Sequence, residues 1–323
     1  NNMTLAGVVQ SARARGLKHP HIIVSSIEHP SVLEAARMME AQGVKVSYAS
    51  VDKRGVVDIK NFRKLITPET VLISIMYANN EIGTIEPIRD IAKEIRRARK
   101  VNNSIYPYFH TDAAQATNYL DISVARLGVD LMTISSGKIY GPRGVGILYV
   151  RRGVQIEPLM YGGDHEIGRR PGTETVSLAI GFAQACTLTE KIKQKESKRV
   201  EKLRNLLAEK IIKDISDCSI NGDLSISLPN ILNISFSNCD GEALVIYLDA
   251  KGIAVSGRSA CKNSSGGLSH VILAIGKAGE GESGAIRFSL GRETTRENII
   301  EVAKVLPGVI YFLRATITNN DKI

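Results

Sequence analysis

Tryptophan is absent from the 323 residues, and cysteine occurs only four times, as Cys186, Cys218, Cys239 and Cys261. None of the four forms a CxxC pair or a dense cluster, so neither a disulfide scaffold nor a zinc site is expected, and no metal is expected. Scattered thiols in a chain of this size fit a reducing compartment, in which one is reactive and the others are buried. No apolar run approaches the roughly 20 residues of a membrane span. The opening NNMTLAGVVQSARARG shows no charged-then-apolar export signal. A soluble protein of the cytoplasm is expected. Organellar targeting stays open, because the sequence starts without Met in what reads as the middle of an element. Helix-turn-helix, zinc-finger and RNP signatures are missing as well. The net charge of +9 comes largely from mixed-sign stretches such as TEKIKQKESKRVEKLRNLLAEK. Interleaved Lys and Glu mark a solvated helix face, so no nucleic-acid partner is expected.

What is present is an ordinary globular composition, 43% hydrophobic and 23% charged, large enough for a sizeable core. Through the first half, β-rich runs alternate with helical patterns: HIIVSS, PSVLEAARMMEAQG, VKVSYAS, VLISIMY, PIRDIAKEIRRARK, YPYFHTD, DLMTIS and VGILYV. That alternation predicts an α/β domain around a mostly parallel sheet flanked by amphipathic helices. Pro30 suits a first helical turn and Gly43 a C-terminal cap, and Ile88, Ile91, Ala92 and Ile95 fall on one face. Near residue 190 the pattern changes to a long charged helix, then ILNISFS, GEALVIYLDAKG, AIRFSLG and a terminal helix from about Thr295. A large domain over 1–192 and a smaller α+β domain over 193–323 are expected. There is no internal repeat. The Gly/Ser-rich GRSACKNSSGGLSH reads as a mobile loop holding Cys261.

Ligands of α/β sheets collect outside the carboxyl ends of strands. Just beyond the apolar runs stand Glu28 and His29, Asn79 and Asn80, Asp112 and Gln115, and Ser135 through Lys138. Singly, each has a plain structural reading: a capped loop His, an Asn-Asn turn, an exposed Lys. Together they supply the parts that pyridoxal 5'-phosphate (PLP) requires. These are a lysine for the Schiff base, an acid facing the pyridine nitrogen, a flat group against the ring and donors for the phosphate. Lys138, Asp112, His29 and the Ser135 region provide them in turn. Arg287, with its planar fork, is a candidate partner for a substrate carboxylate.

The runs SIEHPSVLEA, MYANNEIGTI, FHTDAAQA, ISSGKIYGPRGVGILYV, GGDHEIGRRPGTE, LPNILNISF, GRSAC and IRFSLGRETT resemble, in order and spacing, the cysteine desulfurases of the class V aminotransferase family. The resemblance covers essentially the whole chain. It implies a fold-type I PLP-dependent transferase, α/β, with a large mostly parallel mixed sheet and a smaller C-terminal domain carrying the nucleophile loop. It makes Lys138 the Schiff-base lysine and Asp112 the partner of the pyridine nitrogen. His29 would stack on the ring, Gln115 would bond the phenolic oxygen, and Ser135 would hold the phosphate. Thr173 would reach that phosphate from the partner subunit of a homodimer. Asn80, at the cofactor, would bind the carboxylate of L-cysteine with Arg287. Cys261 would form the persulfide for an iron–sulfur scaffold or another acceptor protein, while Cys186, Cys218 and Cys239 would stay inert.

Two departures from the family pattern bear on activity. Relatives carry an amino-terminal Gly-Ala-Thr-Glu loop whose helix start cradles the phosphate, and this sequence begins just after it. Either the segment lies outside the sequence given, or PLP binding is impaired. Gly137 also stands where relatives carry His, so one phosphate donor is lost unless Ser136 or water compensates. The rival readings are a selenocysteine lyase and a catalytically impaired binding module of the same fold.

Overall fold

The computed structural model describes residues 1–257, 269–277 and 284–320. Its residues form two compact units, and neither is continuous in sequence. One contains Asn1–Val51, Val56–Asn79 and Glu86–Lys193. The other contains Asp52–Gly55, Asn80–Ile85 and Gln194–Ile323.

The first unit begins with α1 (Asn2–Ala14), β1 (His21–Ser25), α2 (Pro30–Ala41), β2 (Lys45–Ala49), α3 (Ile59–Leu65) and β3 (Thr70–Ser74). It continues with α4 (Ile88–Val101), β4 (Tyr108–Asp112), α5 (Val124–Leu127), β5 (Leu131–Ser135) and β6 (Gly146–Val150). The strands form a six-stranded sheet in the order β2-β1-β3-β4-β5-β6, parallel except where β6 pairs antiparallel to β5. Strands β1, β3 and β4 are buried along their whole length, which is why β1 and β3 read as near-continuous apolar runs rather than alternating ones, while β4 also buries His110, Thr111 and Asp112. Helix α2 starts as its sequence predicts, with Pro30 in the first turn, and buries Val32, Leu33, Ala35, Ala36 and Met39. Gly43 follows with φ +77, a left-handed conformation that suits glycine after a helix end. Helix α4 buries the predicted face of Ile88, Ile91, Ala92 and Ile95.

Helix α6 (Val176–Asp214) starts well before the change of pattern near residue 190. Beyond it come β7 (Cys218–Ile220), β8 (Ile231–Phe236), α7 (Gly241–Asp249), α8 (His270–Ala274), β9 (Gly284–Ser289) and α9 (Arg296–Asn320). An antiparallel sheet in the order β7-β8-β9 packs Leu232, Ile234, Phe236, Ile286 and Phe288 into the core of this second unit. The segment Asn80–Ile85 belongs here because its backbone is bonded here. Ile85 N donates to Ile226 O and Leu228 N to Gly83 O, both at 2.8 Å. Thr84 Oγ1 donates to Arg54 O at 2.6 Å, which brings in Asp52–Gly55 as well. Most of the expected loop GRSACKNSSGGLSH, including Cys261, lies outside the described residues. Its last two residues are ordered as the start of α8, with Ser269 as the N-cap and His270 as the first helical residue.

Candidate functional site

Strands β1, β3, β4 and β5 are parallel neighbours, so their carboxyl ends share one edge of the sheet. His29 follows β1 and caps α2. Its Nδ1 accepts from Ser31 N at 3.1 Å and lies 2.9 Å from Ser31 Oγ. A backbone N–H only donates, so Nδ1 is the acceptor and the proton of a neutral His29 ring sits on Nε2. Asn1 Nδ2 donates to Ser31 Oγ and to Asp112 Oδ2, each at 2.7 Å. The other Asp112 oxygen accepts from Ala114 N at 2.9 Å. His29 and Asp112 are thereby joined through Ser31 and Asn1, and the Asp112 carboxyl group is fixed in one orientation at the end of a central strand.

Ser135 is the last residue of β5, and Lys138 lies in the following 3-10 turn, Ser136–Ile139, with its side chain exposed. That turn is tied down by Asn118 Nδ2, which donates to Lys138 O at 2.6 Å. Ser136 Oγ is buried with no hydrogen-bond partner, and a Cβ at Gly141 would overlap it. Gln115 is half-buried in the turn after β4, and Thr173 is exposed ahead of α6. The amine of Lys138, the carboxyl group of Asp112 on the adjacent strand, and an orphaned hydroxyl beside the lysine form a donor set that fits PLP. No group of His, Cys, Asp or Glu among the described residues could hold a metal ion.

The turn that carries His29 is clasped to the segment after β3. Met76 N donates to Glu28 Oε1 at 2.6 Å, and Asn79 Nδ2 donates to Ile27 O at 2.9 Å. Burial pushes the Glu28 carboxyl well above the usual carboxylate range, and the nearby Asp112 and Glu86 add to the effect against the bond from Met76.

In the second unit, Asn80 and Arg287 are brought together. Arg287 Nη1 donates to Asn80 O at 2.8 Å and Nη2 to Ser256 Oγ at 3.0 Å, while Nε is buried without a partner. Burial lowers the Arg287 pKa, and the charge of Glu81 opposes that shift. Burial likewise pushes the thiols of Cys186, Cys218 and Cys239 up from their ordinary range.

The structure adds Asn1, Ser31, Ser256 and Asn233 to the residues that the sequence singles out. Ser31 carried a local signal, a short polar residue two past a capping His. Asn233 carried another, an amide inside the apolar run ILNISF. Nothing local marked Asn1 or Ser256, because their partners are distant in sequence.

The aminotransferase class-V family model matches residues 3–302. The cysteine desulfurase IscS of Dictyoglomus turgidum is 43% identical over 314 residues, covering 97% of this chain and 77% of that protein. IscS 1 of Archaeoglobus fulgidus is 39% identical over 315 residues, covering 98% and 79%. Among solved structures, a NifS-like protein superposes with a TM-score of 0.86 at 36% identity, covering 96% of this chain and 79% of that one. SspA in complex with cysteine gives 0.73 at 32%, covering 90% and 78%. A similarity this extensive in both sequence and fold means that the chain belongs to the class-V aminotransferase family and, within it, to the cysteine desulfurases.

Proposed function

We propose that this chain converts L-cysteine to L-alanine and keeps the sulfur as a persulfide on Cys261, using PLP held by His29, Asn80, Asp112, Gln115, Ser135 and Lys138. The bonded path from His29 through Ser31 and Asn1 to Asp112 carries the reading, since it fixes a ring and an acid beside the strand end that bears Lys138. When bound, PLP supplies an electron sink that makes the bonds at the amino acid's α-carbon labile. Asp112, anchored by Ala114 N and Asn1, holds a proton at the pyridine nitrogen. Lys138 Nζ moves the proton at the substrate α-carbon. His29, with Nδ1 engaged by Ser31, offers its ring face and an Nε2–H. Arg287 and Asn80 bind the substrate carboxylate, and the buried, unpartnered Nε of Arg287 is one of the donors left for it.

The net reaction balances without an external oxidant. The Cys261 thiolate bonds to the substrate sulfur as the Cβ–S bond breaks, and the electron pair stays with carbon, which takes up a proton to give alanine. The other three thiols are disfavoured as thiolates by burial, which supports Cys261 as the nucleophile. A homodimer, in which Thr173 serves the partner's phosphate, is supported by the exposure of Ile147, Tyr161, Ile167, Val176 and Ile180. No helix among the described residues is long and apolar enough to cross a membrane. The persulfide is passed to an iron–sulfur scaffold or another acceptor protein in the cytoplasm.

The test is alanine release by protein whose visible absorbance confirms bound PLP. Cys261→Ser should lower turnover of L-cysteine by at least about 100-fold yet leave measurable alanine from L-selenocysteine, because a selenol leaves with less help than a thiol. Turnover of cysteine by Cys261→Ser near the parent rate would overturn the persulfide assignment, and a PLP-loaded parent that releases alanine from L-selenocysteine alone would be a selenocysteine lyase. A colourless parent inert to both substrates would indicate the impaired binding module.

A further inference from the structure

Strand β8 places Leu232, Ile234 and Phe236 in the core of the second unit, and the period of two puts Asn233 and Ser235 on the opposite face. That face is also closed, with Asn233 only 5% exposed. A buried amide must find its partners, and Asn233 has them. Its Nδ2 donates to Glu81 O at 3.1 Å, and its Oδ1 accepts from Asn221 Nδ2 at 2.7 Å. Asn221 is held in turn by Lys277 Nζ at 2.7 Å and itself donates to Ser235 Oγ at 2.8 Å. Across the ladder, Asn233 pairs directly with Arg287 of β9, whose Nη1 holds the carbonyl of Asn80. Two neighbouring carbonyls, those of Asn80 and Glu81, are therefore clamped by two neighbouring side chains of one sheet face.

We infer that Asn233 is a positioning residue for the substrate carboxylate: by holding Glu81 O it fixes the segment carrying Asn80 and the direction in which Arg287 presents its unpartnered Nε–H. The inference rests on the proposed roles of Asn80 and Arg287, and deepens them. Without the Asn233 donor, the Asn80–Glu81 backbone loses one of its two clamps, and the guanidinium keeps only its bonds to Asn80 O and Ser256 Oγ. The loss should fall on substrate binding rather than on the chemical step.

The experiment measures KM and kcat for L-cysteine on PLP-loaded Asn233→Ala, with equilibrium binding of L-alanine as a second readout. Ile234→Val, a core substitution on the other face of the same strand, is the control for lost stability alone. Asn233→Ala should raise KM and weaken alanine binding about tenfold, the worth of roughly one net hydrogen bond, with kcat within about twofold of the parent. Ile234→Val should lower Tm without moving KM. Asn233→Ser, which keeps a hydroxyl for Asn221, is read in the same way if the alanine variant does not fold. A KM shift no larger than that of Ile234→Val, or a fall in kcat alone, would overturn the inference. Arg287→Lys tests the underlying reading separately: if it leaves KM unchanged, the carboxylate assignment fails whatever Asn233 does.

Discussion

At Gly137 a Cβ would meet nothing nearer than Arg143 Cγ at 3.8 Å, and the backbone there is not left-handed. Space at Cβ therefore does not impose Gly here in place of the His that the family resemblance implies. Ser136 Oγ, buried and unpartnered on the preceding residue, is a hydroxyl that could take over part of the phosphate contact. It has no imidazolium charge to contribute. A charge-assisted hydrogen bond to phosphate is worth about 1.5–3 kcal/mol. Gly137→His should therefore slow PLP loss by roughly tenfold or more, read as residual visible absorbance during dialysis. Equal retention by both proteins would show that Ser136 or solvent already compensates.

The central strands mix apolar residues with buried polar ones that pair across the sheet. His21 Nδ1 lies 2.8 Å from Thr70 Oγ1 and its Nε2 lies 2.9 Å from Ser47 Oγ, linking β1 to β3 and β2. His110 bridges Ser74 of β3 and Thr133 of β5, at 2.8 and 3.0 Å. Burial, helped by Lys45, pushes the His21 pKa down to about 4, and burial pushes that of His110 well down. A depressed histidine means that the folded state binds fewer protons than the unfolded one between the unfolded pKa of about 6.5 and the folded value. Stability must then fall as pH drops through that window, by up to about 1.4 kcal/mol per pH unit for each group. In His21→Asn, urea unfolding between pH 6.5 and 4.5 should show a slope shallower by nearly that amount. An unchanged slope would mean that His21 is protonated in the fold. Which apolar runs become strands was legible in the alternation of the sequence. That their histidines serve as cross-strand pairs was not, since Ser47, Thr70, Ser74 and Thr133 are brought alongside only by strand order.

On the scale of the molecule, His29, Asp112, Gln115, Ser135 and Lys138, proposed for PLP, belong to one compact unit, and Asn80 and Arg287, proposed for the substrate carboxylate, belong to the other. If the chain is a homodimer completed by Thr173 of the partner, sedimentation should give about 70 kDa, twice the 35.1 kDa chain. Subunit mixing checks the cross-subunit role. Lys138→Ala and Thr173→Val damage different residues of the same site. A mixed dimer therefore carries one site with both intact and one with neither. At limiting PLP, mixing the two weak variants should restore roughly a quarter of the parent activity, since about half the dimers are mixed and each has one intact site. No recovery on mixing would place Thr173 with its own subunit's site.

By itself the sequence determined the alternating α/β order of the first half, the helix faces of α2 and α4, and the residues waiting at strand ends, because periodicity and capping are local properties of a chain. The eight ordered motifs determined the family for the same reason: each is a contiguous run. Tertiary structure decided what no contiguous run contains. It joined His29 to Asp112 through Ser31 and Asn1, and it gave Glu28 a bond to Met76 N. It also bonded Asn80 and Glu81 to side chains of the smaller sheet, although Asn79, one residue earlier, bonds Ile27 in the first unit. The physical reason is the same in each case. A buried polar group must be paired, and the partner that satisfies it is chosen by the packing of elements rather than by its neighbours in the chain.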